Sequence, residues 1–222
     1  MIQAFQRWGQ PKVIRLDNGA PLGDPKRKSI PPLALWLMGL GIKVIFNRPA
    51  RPTDNAKVER MQQTTKNWAV VEQVQHFQQL LEVLDRTRHL QRQLYKVTRL
   101  AGRTRLEAFP ELLDNPNKYR PDNFCIQRVY QHLAQWTFVR LVGKNGQFAL
   151  YNQKYHIGTA WKKQYITVKF DPQQILWFVF DSNGLFLDAL PAINLQKENI
   201  LNLTVCQRTS LKKLRLYFAS MC

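Results

Sequence analysis

The sequence has few cysteines, few acids and no long apolar run, and each shortage excludes a class of protein. Three cysteines in 222 residues, at positions 125, 206 and 222, are too few and too scattered for a disulfide framework or a zinc site. Apolar runs such as ILWFVF, residues 175–180, are far too short to cross a bilayer. The N-terminus lacks the charged-then-apolar layout of a signal peptide. We therefore expect a cytoplasmic protein with no membrane partner.

The shortage of acids leaves a large positive charge. The chain has 33 Lys and Arg residues against 15 Asp and Glu residues, a net charge of +18. Residues 1–120 carry +11 of this excess and residues 121–222 carry +7, so neither half offsets the other. Such a charge suits a polyanionic partner, of which nucleic acid is the commonest. An acidic membrane surface is the alternative, but it calls for an amphipathic basic helix or a lipidation signal.

The first half of the chain alternates helical and strand patterns. MIQAFQRWG predicts a helix that ends at Gly9, and KVIRL predicts a short strand after it. Pro31 and Pro32 favour the start of a second helix, and KVIF, residues 43–46, predicts a second strand. The order strand, helix, strand at this tight spacing is typical of an α/β sheet.

Two long helical patterns follow, and then an irregular stretch. Thr53, Asp54 and Asn55 are candidates for the N-cap of the first helix. No Gly or Pro interrupts the two patterns from there to Gly102. Several prolines then predict a linker over residues 111–127.

From about Arg128 the apolar period changes to two. The short runs WTFVRLV, GQFALYN, YHIG, QYITVKFD, ILWFVFD and LFLDALPA are separated by turn residues. Short strands at such even spacing predict a small antiparallel β-barrel over residues 128–192. We assign no structure to the tail, residues 193–222.

Two acids stand where a strand ends and where a helix begins. In VIRLDNGAP the apolar run stops at Asp17, and Glu59 lies in the first turns of the helix after Asn55. Alone, Asp17 is typical of a turn and Glu59 of a solvent-facing helix position. If the loop between them folds back, the two carboxylates meet and can hold Mg²⁺ or Mn²⁺, which prefer oxygen ligands.

RLDNGAP followed by GLGI and RPTDNAKVER resembles the catalytic core of DDE transposases and retroviral-type integrases. The resemblance covers about residues 1–110 and implies part of an RNase H-like fold. It implies that Asp17 is the second catalytic Asp and Glu59 the catalytic Glu, both ligands of Mg²⁺ or Mn²⁺. The region from GQFALYN to DALPA is similar to the DNA-contacting β-barrel that follows the core in Mu-type transposases. The implied fold class is α/β plus all-β.

This chain departs from the pattern of the family in two ways. The spacing from Asp17 to Glu59 is longer than is usual for the family, because of the basic insert LGDPKRKSIPP. The first catalytic Asp of the family has no counterpart, since the resemblance begins at the helix before the fourth strand. We therefore expect an N-terminally truncated copy that is inactive alone. Whether the chain is an enzyme stays open.

Basic residues without balancing acids mark the candidate DNA contacts. Residues 86–105 hold seven basic residues and no acid, and their steps of three or four predict one shared helix face. Other basic residues flank Glu59. For both groups the ordinary explanation is a charged helix face that is exposed to solvent. PKRK, residues 25–28, is read as a solvated loop. The candidate contacts are Lys57, Arg60, Lys66, Arg88, Arg92, Lys96, Arg99 and Arg103.

Aromatic residues of the second half have two readings. They can stack on bases, although in a small barrel we expect them to fill the core. The set contains Trp136, Tyr151, Tyr155, Trp161, Tyr165, Trp177 and Phe178.

Three functions remain open from the sequence. The first is a DDE-type transposase that binds transposon ends and target DNA and, in the intact family, cuts and transfers strands with metal ions. The second is a non-catalytic DNA-binding fragment that modulates transposition, alone, as a homo-oligomer or mixed with full-length transposase subunits. The third is a remnant without function.

Overall fold

A computed structural model describes residues 1–19, 29–48, 50–70 and 73–201 of the chain. The basic stretch PKRK and residues 202–222 of the tail lie outside the described residues. Among the described residues, no helix is long and apolar enough to cross a membrane. Contacts divide the chain into two compact units, each built from two separate stretches. The helical unit is Met1–Lys12 with Asn47–Pro121, and the sheet unit is Val13–Phe46 with the chain from Asp122 onward.

The helical unit begins with α1, Ile2–Trp8, which ends at Gly9 as predicted. Gly9 has a positive φ of 84°, a backbone conformation that glycine adopts without steric cost. The segment expected to be a linker hydrogen bonds to this helix end: Asn115 Nδ2 donates to Trp8 O at 3.2 Å, and Lys118 Nζ donates to Arg7 O at 2.8 Å. Polar contacts therefore join α1 to residues 115–118.

Helix α3, Ala56–Ala69, starts beside an ion-paired loop. Asn55 occupies the N-cap, but its side chain makes no capping hydrogen bond. Asp54 binds Arg48 instead, with Arg48 Nη2 2.7 Å from Oδ1 and Arg48 Nε 3.1 Å from Oδ2. This two-point ion pair, formed with an Asp54 side chain that is only 8% exposed, closes the loop from which α3 begins.

The second helical pattern does not continue to Gly102, so the prediction of one long helix face is wrong. Helix α4 covers Phe77–His89, and a π-turn of residues Leu90–Leu94 ends the helical run. Tyr95 is extended, and a new short helix, α5, Arg105–Ala108, begins at a capping box between Thr104 and Glu107. The β-branched residues 97 and 98 disfavour further helix, and Leu94 is 60% exposed.

The sheet unit opens with the predicted strand, helix and strand. Strands β1, Val13–Leu16, and β2, Lys43–Phe46, pair in parallel, and α2, Pro32–Gly39, joins them. Helix α2 packs against α6, Ile126–Ala134. A Cβ at Gly39 would lie 2.1 Å from the Phe124 ring, so only glycine allows this approach.

All six predicted strands of the second half form, but they do not close into a barrel. The strands are β3, Thr137–Leu141; β4, Gln147–Leu150; β5, Gln153–His156; β6, Tyr165–Asp171; β7, Leu176–Phe180; and β8, Phe186–Pro191. In the described residues β3, β6, β7 and β8 form an open antiparallel sheet, and β4 and β5 pair with each other. The fold is therefore mixed, with helices, antiparallel sheets and one parallel strand pair.

The physical reason for the open sheet lies in the hairpin of β4 and β5. The β3–β6 ladder ends where Val142 exchanges backbone hydrogen bonds with Lys163 and Gln164. Gly146 then turns the chain with a φ of 70°, and a Cβ there would lie 2.4 Å from the backbone of Gly158. The hairpin therefore folds on itself, and β3 and β8 stay the two edges of the larger sheet.

Candidate nucleic-acid interface

Helix α3 separates the basic residues that flank Glu59 in the sequence. Successive residues of an α-helix lie about 100° apart around the axis. Lys57 and Arg60 therefore lie on one side of α3, whereas Glu59 and Lys66 lie on the opposite side. All four side chains are exposed. Of the three cations that flank Glu59 in the sequence, Lys66 alone shares its side of α3, and the contact of these cations with DNA stays a prediction.

The side of α3 that carries Lys57 and Arg60 lines a cleft of about 350 Å³. Met61 and Thr64 continue this side of the helix, as expected for steps of three and four residues. The facing wall comes from later parts of the helical unit, and no acidic side chain of the described residues lines the cleft. The residues of that wall are Gln91, Arg99 and Arg105.

A chain of hydrogen bonds fixes the two walls of the cleft together. Gln91, which is only 8% exposed, donates from Nε2 to Thr65 Oγ1 of α3 at 3.1 Å. Arg105 Nη1 donates to the backbone oxygen of Gln91. Trp68 of α3 also packs edge-on against Tyr95, with ring centroids 4.9 Å apart. Arg105 is therefore held in place before any ligand binds, and α3 is joined to the facing wall.

The position of Arg105 depends on the capping box that starts α5. Glu107 N donates to Thr104 Oγ1 at 3.2 Å, and Thr104 N donates to Glu107 Oε2 at 2.7 Å. The hydrogen bonds from Thr104 hold the pKa of Glu107 below its ordinary value, and Lys96 and Arg103 lower it further. Arg105 follows Thr104 directly, so this cap sets where the helix presents it.

A second basic cluster of the helical unit surrounds Trp8. The guanidinium carbons of Arg7 and Arg92 lie 4.8 and 4.9 Å from the Trp8 ring centroid, within cation–π range. Burial lowers the pKa of Arg92, and the nearby charges of Arg7 and Arg88 lower it further. Arg88 itself pairs with Asp85 at 2.7 Å. This cluster concentrates positive charge that an anion would offset.

The five predicted contacts of residues 86–105 thus belong to different elements. Arg99 lines the cleft, Arg92 stacks on Trp8 and Arg88 is ion-paired. Lys96 is exposed, and Arg103 Nε donates to Leu100 O at 3.3 Å. The prediction that they share one helix face was wrong, and their contact with DNA stays a prediction.

The predicted metal ligands lie in different units. Asp17, at the end of β1, is exposed and its Oδ1 accepts a hydrogen bond from Asn18 N at 2.8 Å, which is typical of a turn. Glu59 is exposed on α3 of the helical unit. Within the described residues, no three His, Cys, Asp or Glu side chains form a group that could hold a metal ion. Binding of Mg²⁺ or Mn²⁺ at these two acids stays a prediction.

The aromatic residues divide between the core and the surface of the sheet unit. Trp177 and Tyr155 are 1% and 6% exposed, and they fill the core as expected. Tyr165 is 63% exposed, and Phe178 is partly exposed. Core packing is therefore confirmed for the buried rings, whereas base stacking by the exposed ones stays a prediction.

Three residues of the helical unit were missed by reasoning from the sequence. Arg105 lies at the end of the basic stretch, but it falls outside the steps of three and four. Gln91 and Trp8 carry no charge signal, and only the fold brings them to the basic clusters.

A scan against protein-family models finds no match for this chain.

Proposed function

We propose that this chain binds duplex DNA through the cleft of the helical unit and acts in DNA integration or transposition. The observation that carries the proposal is the convergence of Lys57, Arg60, Arg99 and Arg105 on one cleft, and no acid in the part of the chain that the structure describes lines it. Guanidinium groups bind phosphate oxygens in pairs, and lysine binds them as a point charge. Neighbouring phosphates of a duplex supply the several negative charges that such a cluster needs.

The surroundings of the cleft support the same proposal. The helical unit has 16 basic and eight acidic residues, so the cleft lies in a positive field that attracts DNA from a distance. The Trp8 cluster adds Arg7 and Arg92 to this field.

Strand cleavage and transfer at Asp17 and Glu59 is the catalytic part of the proposal. It is supported by the resemblance of RLDNGAP and RPTDNAKVER to the DDE family. The non-catalytic alternative, a DNA-binding protein that modulates transposition, is favoured by the exposed, turn-capping geometry of Asp17.

Binding of a labelled duplex in EDTA tests the DNA-binding part. We expect the double variant Lys57→Ala with Arg60→Ala to bind about tenfold or more weakly, because charge-assisted hydrogen bonds to phosphate are lost. Arg120→Ala is the matched control, since Arg120 is an exposed cation of the same unit that does not line the cleft. Equal losses in both variants would refute the cleft as the site.

Incubation of the same duplex with Mg²⁺ or Mn²⁺ separates the two functional alternatives. Asp17→Asn and Glu59→Gln keep side-chain size and remove the charge. Metal-dependent nicking or strand transfer that both variants abolish would support the enzyme. Binding without any nicking, unchanged in both variants, would support the non-catalytic protein.

A further inference from the structure

The open sheet has one buried face and one exposed face, and the exposed face is aromatic. Along β6 the side chains at 166, 168 and 170 are buried, whereas Tyr165 and Lys169 are exposed. The same alternation in the other strands gives the outer face, which contains Thr137, Val139, Leu141, Tyr165, Thr167, Lys169, Asp171, Leu176, Phe178, Phe180 and Phe186.

Four aromatic rings and one lysine lie close together on this face. Tyr165 is 63% and Phe186 is 52% exposed. Phe186 packs edge-on against Phe178 and Phe180, with centroids 5.9 and 5.8 Å apart. The Lys169 ammonium lies 5.7 Å from the Phe180 centroid.

We propose that the outer face of the sheet binds single-stranded DNA, with unpaired bases stacked on Tyr165 and Phe186. Every base presents a π-face that stacks on an aromatic ring, and this stacking tolerates any sequence. A duplex keeps its base faces inside the stack, so this surface selects single strands. The surface belongs to a different unit from the cleft and does not depend on it.

Charge favours nucleic acid over a protein or a second copy as the occupant. Residues 128–201 contain eight basic and four acidic residues, and Lys169 stands among the rings, where it can reach a backbone phosphate. Lys162 and Lys163 lie three and two residues before Tyr165, the first residue of β6, and add positive charge near this end of the strand. A second copy on the same face would bury the Lys169 ammonium in a largely apolar interface, which is costly for a charged group.

The test is binding of a labelled oligothymidylate to the full chain, measured by fluorescence anisotropy. We expect Tyr165→Ala and Phe186→Ala each to weaken binding about fivefold to a hundredfold. Tyr165→Phe and Phe186→Tyr, which keep the ring, retain affinity close to that of the parent protein. Phe77→Ala is the matched control, because Phe77 is a 67% exposed ring of the helical unit.

Two further measurements keep the test decisive. The cleft variant Lys57→Ala with Arg60→Ala is expected to keep the dependence on the two rings, so that failure of the cleft and failure of this face are distinguishable. Circular dichroism checks that the variants fold, and Tyr165 is exposed enough for its truncation to leave the core intact. Unchanged oligothymidylate affinity in both ring-to-Ala variants would overturn the proposal. A change in oligomeric state without loss of affinity would overturn it too, and would assign the face to a second copy.

Discussion

The two units are stabilised in different ways. The sheet unit has a packed apolar core, with Leu133 and Val168 at 0% and Trp177 at 1% exposed. Among the described residues of the helical unit, the buried apolar side chains are Phe5 and Ala69. Its other buried side chains are polar, and they are Gln10, Asn47, Thr87, Gln91 and Thr104.

This difference matches the surfaces that the units offer. Polar contacts position part of the cleft of the helical unit, because Arg105 donates a hydrogen bond to the backbone of Gln91 and Gln91 donates one to Thr65 of α3. The packed core of the sheet unit supports the strands that carry the aromatic rings of the outer face. Regions with few buried apolar contacts open at lower free energy, so we expect the helical unit to be the less stable one.

The largest expected effect compares one leucine from each unit. Leu133→Ala removes a fully buried side chain from α6 and should lower the free energy of unfolding by about 2–5 kcal/mol. Leu94→Ala makes the same change at a 60% exposed position of the helical unit and should alter it by less than about 0.5 kcal/mol. Urea denaturation measures both. Similar losses in the free energy of unfolding of the two variants would contradict the distinction between a unit with a packed apolar core and a unit with mainly polar contacts.

An intermediate effect is expected at the cap of α5. Thr104→Ala removes the hydroxyl that accepts from Glu107 N, which should cost about 1 kcal/mol. Thr104→Ser keeps an accepting hydroxyl and serves as the control. We expect hydrogen exchange to show faster opening of residues 104–108 in the Ala variant, with the sheet unit unchanged. Uniform acceleration in both units would mean that they do not open separately.

The smallest expected effect is a pH dependence of the sheet unit. Trp136 Nε1 donates to His132 Nε2 at 3.1 Å, and burial lowers the pKa of His132. The folded state therefore takes up a proton less readily than the unfolded state, whose histidine pKa is about 6.5. Stability that is present above about pH 6.5 is then lost as the pH falls toward the folded pKa.

Thermal unfolding at several pH values measures this dependence. His132→Gln should flatten the loss below about pH 6.5, whereas substitution of the exposed His156 should leave it in place. Identical pH profiles for the parent protein and His132→Gln would contradict the assignment.

Local patterns predicted most elements of the sheet unit. Alternation predicted the six strands after residue 128, and two prolines predicted the start of α2. Whether the strands close into a barrel depends on contacts between distant residues, such as Gly146 with Gly158. Periodicity along one strand contains no record of such contacts, which is why the barrel was wrong.

The helical unit shows the opposite limit. Basic residues at steps of three and four suggested one continuous helix, because their periodicity does not reveal the π-turn at residues 90–94. Lys57, Arg60 and Arg99 were selected from the sequence as candidate DNA contacts; the structure places them in one cleft, and their contact with DNA stays a prediction. Separate elements bring them together, and Arg105 joins them only through α5 and its cap.

The salt dependence of duplex binding tests the cleft most directly. A plot of the logarithm of the binding constant against the logarithm of salt concentration has a slope set by the number of phosphates that the protein neutralises. We predict that Arg60→Ala with Arg99→Ala reduces this slope by about one for each removed cation, whereas Arg120→Ala leaves it unchanged. A slope equal to that of the parent protein in the Arg60 and Arg99 double variant would contradict the account, because DNA would then bind without these two cations.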